Sequence, residues 1–167
     1  PYEQLLTANR ERSRQEPEFE LLATGIFDED RYFDVLVEYA KAGPDDIGMR
    51  ISVTNRGPKA APLHVLPTLW YRNTWRWTEE APVPQLRAAG WKGGHAIEAR
   101  HPNLEPYYLY TGEAAALLFT DNETNKQRLF NEPNPSAYVK DGINDYLVEG
   151  RKASVNPEQR GTRAAAH

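Results

Sequence analysis

Cysteine is missing from the 167 residues, and its absence excludes disulfides, a thiol nucleophile and thiolate metal sites. Histidine occurs four times, as His64, His95, His101 and His167. None forms a close pair at metal-ligand spacing, which argues against a zinc enzyme. No apolar run approaches the roughly 18 residues that cross a bilayer, and no charged-then-apolar leader opens the sequence. These absences lead to the expectation of a cytoplasmic protein with no membrane partner. Basic residues never gather in a block: 20 Lys and Arg are scattered among 24 Asp and Glu, for a net charge of -4 and a pI near 5.6. Phosphate binding needs concentrated positive charge, so nucleic acid is not expected as a partner.

What is present suits a globular fold. A hydrophobic fraction of 40% with 11% aromatics can supply a core, while a mean hydropathy of -0.74 implies a very polar surface. The length fits one domain, or one domain with a tail. Pro1 and the unpatterned end at residues 160–167 are what a piece of a longer polypeptide would show.

Patterning predicts strands. Phe33, Val35, Val37 and Tyr39 alternate with Tyr32, Asp34, Leu36 and Glu38, and Ile47, Met49, Ile51 and Val53 alternate again after the turn Gly43-Pro44-Asp45-Asp46. A third strand, entered after Pro62 and carrying the tryptophans, is expected to complete an antiparallel meander. Further strands are expected from Phe19, at His95–Ala99, Tyr107–Tyr110 and Ala115–Thr120, the last two joined across Thr111-Gly112-Glu113. Residues 138–150 read as a turn and a short strand. A short helix is expected at Glu123–Leu129, capped by Asp121 or Asn122. The expected fold is an all-β antiparallel β-sandwich with long loops and at most short helices. Residues 1–17 form a linker or short helix, 18–155 the sandwich, and 156–167 a linker toward missing strands or a catalytic domain.

The order of several landmarks is specific. Glu18-Phe19-Glu20-Leu21-Leu22, residues 24–35, Asn55-Arg56-Gly57-Pro58, residues 63–75, Asn122-Glu123-Thr124-Asn125, Tyr138-Val139-Lys140-Asp141-Gly142-Ile143-Asn144-Asp145-Tyr146 and Val155-Asn156-Pro157 together resemble the N-terminal region of bacterial mannosyl-oligosaccharide glucosidase-like glycosyl hydrolases, glycoside hydrolase family 63 and its relatives. The resemblance covers nearly the whole chain. It implies a β-supersandwich that packs on an (α/α)6 barrel, the barrel holding the catalytic carboxylates. It therefore implies no catalytic residue here and the catalytic domain of the same polypeptide as partner; no metal and no cofactor are expected, and an oligosaccharide is the candidate ligand. The alternatives are a stand-alone carbohydrate-binding module and a protein-protein interaction domain.

Two stretches are candidate sites. In the first, Trp70, Arg72, Asn73, Trp75 and Trp77 concentrate three of the four tryptophans. Indole faces and guanidinium forks suit a saccharide surface, but large rings with one polar atom suit half-buried contacts better, so a core or domain-interface cluster is the first expectation and a saccharide platform the second. On a continued strand, Asn73, Trp75 and Trp77 would share one face. In the second, Lys140, Asp141 and Asn144 flank Gly142, in a turn able to project polar groups toward a neighbouring cleft or to bond itself. The run Asp28-Glu29-Asp30 lacks calcium-loop spacing and reads as solvated charge pairing with Arg31. Asn122-Glu123-Thr124 matches a glycosylation acceptor by accident, and His64, between apolar neighbours, reads as a structural imidazole.

Overall fold

The computed structural model describes residues 1–78, 80–112 and 115–167. The expected turn at Thr111-Gly112-Glu113 thus has Glu113 outside the described residues. The fold is all-β and sandwich-like, with nine strands among the described residues, every pairing antiparallel, and three short α-helices. The chain divides into two compact units, Pro1–Leu63 and His64–His167.

The first unit opens with helix α1 (Tyr2–Glu11), which buries no residue. The strand expected from Phe19 is instead extended backbone leading into a 3-10 turn at Leu21–Thr24. The cause is local: the Asn9 side chain takes both backbone groups of Phe19, donating to its carbonyl at 2.9 Å and accepting from its amide at 2.7 Å. That leaves no ladder for a neighbouring strand to join. Strands β1 (Phe33–Gly43) and β2 (Asp46–Asn55) form a long hairpin with Val35 opposite Val53, Val37 opposite Ile51 and Tyr39 opposite Met49. Arg50 and Glu38 pair across it at 2.8 Å. The alternation is as read from the sequence, yet the apolar stripe is open, with Val35 53% and Tyr39 71% exposed. Arg31 pairs with Glu29 at 2.5 Å, both largely exposed, as expected of a solvated charge run.

The second unit is layered. A three-stranded sheet contains β3 (Thr68–Trp70), β7 (Leu117–Thr120) and β9 (Arg163–Ala166), in the order β3-β9-β7. A four-stranded sheet contains β4 (Gln85–Trp91), β5 (Gly94–His101), β6 (Leu104–Thr111) and β8 (Arg160–Gly161), in the order β6-β5-β4-β8. Leu86, Ile97 and Ala99 of one sheet meet Phe119 and Ala164 of the other in a fully buried core. Successive residues of a strand point to opposite faces, so Leu118 and Ala165 turn the other way. There they meet Ile143, Val155, Tyr146 and Leu147.

Three further expectations need correction. The strand carrying the tryptophans is only three residues long and pairs with β9, not with the hairpin, so the meander stops at two strands. Residues 138–150 hold helix α3 (Gly142–Val148) in place of a strand. Ile143, Tyr146 and Leu147, spaced i, i+3, i+4, give it one apolar face for the sheet. Residues 156–167, expected as a linker, supply β8 and the central strand β9. A run of one arginine and three alanines has poor strand propensity. It forms a strand because β3 and β7 flank it on both sides and small side chains let the layers close over it.

Two glycines mark close approaches. A Cβ on Gly161 would stand 2.3 Å from the Thr120 carbonyl oxygen, and one on Gly142 2.2 Å from that of Ser154. Gly161→Ala is expected to lower stability by about 1–3 kcal/mol, the range for overpacking a tight site, measured as a shift in the urea unfolding midpoint.

Candidate functional site

The tryptophan segment does not continue as one strand. Beyond Trp70 the backbone turns, with the Thr74 amide donating to the Arg72 carbonyl at 2.9 Å and the Trp77 amide to the Thr74 carbonyl at 3.1 Å. Side chains replace the missing ladder. Asn73 donates Nδ2 to the Asn122 carbonyl at 2.8 Å, and Asn122 returns its Nδ2 to the Tyr71 carbonyl at 3.0 Å. Trp75 therefore points inward, 8% exposed. Its Nε1 and the Arg76 Nε each donate at 2.9 Å to the same oxygen, Oε1 of the buried Glu123. Trp77 stays outside with the Arg72 guanidinium 5.1 Å from its ring centroid, and Trp70 is exposed as well. The shared face expected for Asn73, Trp75 and Trp77 does not form.

The structure brings the second candidate stretch to a groove. Helix α2 (Lys126–Phe130) is capped by Asn125, whose Oδ1 accepts from the Arg128 amide at 3.0 Å, in place of the expected Asp121 or Asn122. Asp141 is the N-cap residue of α3, its carbonyl accepting from the Asp145 amide at 3.1 Å, but its side chain makes no bond to the helix. Its carboxylate accepts from Asn125 Nδ2 at 3.1 and 3.2 Å and from Arg128 Nη1 at 3.4 Å. The Lys140 amide donates to the Glu123 carbonyl at 3.0 Å, and its own carbonyl accepts from Arg163 Nη1 at 2.5 Å. Lys140, Asp141, Asn144 and Arg163 line a groove of about 410 Å³ with apolar Leu66 and Leu147. Burial draws the Arg163 guanidinium below the usual arginine range, and Asp141 opposes that pull. At the groove's wall, His64 Nδ1 lies 2.8 Å from His167 Nε2, so this exposed imidazole is held by a second histidine and not by apolar packing.

Two buried acids, Glu98 and Glu123, have no role that the sequence alone announces. Glu98, on β5, is 3% exposed yet ionised. Arg100 Nη2 donates to it at 2.7 Å, Tyr108 donates its hydroxyl at 2.9 Å, and Arg87 donates from β4. Hydrogen bonds from Arg100 and Arg87 outweigh desolvation and hold its pKa at about 2. The cross-strand register was the available signal, since Glu98 lies opposite both Arg87 and Tyr108. Register is invisible until strand partners are known.

No family model matches the sequence, and no solved structure matches it. The chain is similar to an uncharacterized protein of Saccharomyces cerevisiae, YMR196W, with 33% identity over 198 residues. That match takes in 99% of the chain and 18% of the yeast protein, so the chain spans under a fifth of the length of this relative.

Glu123→Ala would leave the Trp75 N–H and the Arg76 guanidinium without their acceptor. The expected loss is about 1–3 kcal/mol of unfolding free energy, the cost of unsatisfied buried donors, read from urea titration followed by circular dichroism. Because the folded-state pKa of Glu98 lies below its unfolded value, its contribution is complete above the unfolded pKa and disappears as pH falls from about 4.5 toward about 2. Glu98→Gln is expected to flatten the pH dependence of the thermal midpoint across that window.

Proposed function

We propose that the chain is the non-catalytic N-terminal β-sandwich domain of a glucosidase-like glycoside hydrolase, packing on an (α/α)6 catalytic barrel and lending residues 140–144 to the rim of a saccharide cleft. The sequence resemblance supplies the family. The observation that carries the domain's role is the state of its carboxylates. Glycoside cleavage needs one acid that gives up a proton and a second carboxylate free to act as base or nucleophile. Glu98 is held ionised by two guanidiniums, Glu123 is occupied by Trp75 and Arg76, and Asp141 of the groove is bonded to Asn125 and Arg128. These acids position cations and amides. A groove that offers Lys140, Asn144 and Arg163 as donors suits hydroxyl binding.

The packing role draws support from the hairpin of the first unit, whose apolar side chains Val35, Tyr39 and Ile47 are 53%, 71% and 66% exposed. A two-stranded ribbon is marginal in water without a covering surface. A match to 18% of a longer yeast protein is also what one domain of a larger polypeptide would give. Localisation in the cytoplasm belongs to the same proposal; among the described residues no helix is long and apolar enough to cross a membrane.

The purified chain is expected to release no glucose from maltose, from other gluco-oligosaccharides or from an aryl α-glucoside in a coupled assay. Turnover that co-purifies with the chain and disappears in Glu123→Gln or Asp141→Asn would overturn the proposal.

A further inference from the structure

The outward face of the four-stranded sheet carries an aromatic surface with no role so far. Leu86, Ala88, Ile97, Ala99 and Leu109 turn toward the core between the sheets. Alternation therefore points Arg87 and Trp91 of β4, Glu98 and Arg100 of β5, and Tyr108 and Tyr110 of β6 away from it. Trp91, Tyr108 and Tyr110 are 47%, 44% and 53% exposed, and they touch one another. The Tyr108 and Tyr110 centroids lie 5.9 Å apart with planes 14° from parallel, and Trp91 lies 5.0 Å from Tyr110. Ala96, opposite both Ala89 and Tyr110, is 1% exposed, so the neighbouring side chains close over it.

The rings already lie together in the unbound chain. A Cβ on Gly93 would fall 2.5 Å from Cη2 of Trp91, so the glycine gives the indole room to lie over the turn, and a larger residue would push the ring aside. A surface of rings already in place loses little side-chain freedom on binding. Its polar border keeps a single surplus positive charge: the one Glu98 carboxylate binds both Arg87 and Arg100, which leaves guanidinium N–H groups beside the rings without a block of several free cations. Phosphate-bearing ligands need such a block. The ligand that fits has apolar C–H faces for the rings, hydroxyls for the guanidinium donors and no net charge. We infer that Trp91, Tyr108 and Tyr110, bordered by Arg87 and Arg100, form a stacking platform for a neutral oligosaccharide. This deepens the proposed saccharide role and rests on it, at a site apart from the groove at residues 140–144.

Titration calorimetry of the 167-residue chain with maltopentaose and with cellopentaose tests the platform. One of the two is expected to bind with a dissociation constant on the order of 1 mM. Trp91→Ala and Tyr110→Ala should each weaken binding about tenfold, the worth of one good ring contact. Gly93→Ala, which touches no sugar but displaces the indole, should weaken it by about threefold. Trp77→Ala should leave it unchanged, and unfolding midpoints of all four variants establish that they fold. Absence of binding to both sugars, or binding indifferent to Trp91→Ala and Tyr110→Ala, overturns the inference. Binding that survives those changes but is lost in Asn144→Ala places the sugar in the groove, which overturns the platform and leaves the proposed function standing. Absence of binding together with self-association abolished by Trp91→Ala identifies a protein contact surface and overturns it as well.

Discussion

The second unit depends on β9. Thr68, Leu69 and Trp70 pair with its one edge, and Leu117–Thr120 with the other. Ala164 enters the core between the sheets and Ala165 the layer under α3. One short strand thus closes the hydrogen bonding of two others and contributes to both apolar layers. Only a strand of minimal side-chain volume can do this, because Phe119, Leu86 and Ile97 already fill the space between the sheets, each 0% exposed.

That economy explains what the sequence conceals. Alternation in β1 and β2, the turn at Gly43–Asp46, and the strands around His95–Ala99 and Tyr107–Tyr110 are visible because β-branched and aromatic residues repeat every second position. Arg163-Ala164-Ala165-Ala166 shows nothing of the kind, since its strand character comes from its neighbours. Helix α3 differs. Its apolar spacing was present in Ile143, Tyr146 and Leu147, and the surrounding Gly142, Asn144 and Asp145 made the stretch read as a turn. At the candidate sites the residue types were legible and their directions were not. Trp75 and Trp77 lie two apart, yet one is buried on Glu123 and the other faces solvent, because the strand ends at Trp70, before both, and a turn anchored by interlocked Asn73 and Asn122 carries them.

Acids in this chain act as organisers. Glu98 ties three strands of one sheet, Glu123 anchors the tryptophan turn, and Asp141 joins the α2 region to the start of α3. Each lies where cations or amide donors from distant sequence converge. Burying a carboxylate is tolerable only when such donors replace the lost water. The same pairing leaves the sheet face rich in planar groups and poor in net charge.

The position of β9 also bears on synthesis. Thr68 has no partner until Ala165 has left the ribosome, and domains fold as units once their chain is available. Until then β3 and β7 are open-edged, and Leu118 and Phe119 lack the alanines that cover them. A nascent chain that stalls before Arg163 therefore presents bare strand edges and uncovered core residues to the cell, a client for chaperones in place of a half-built sandwich.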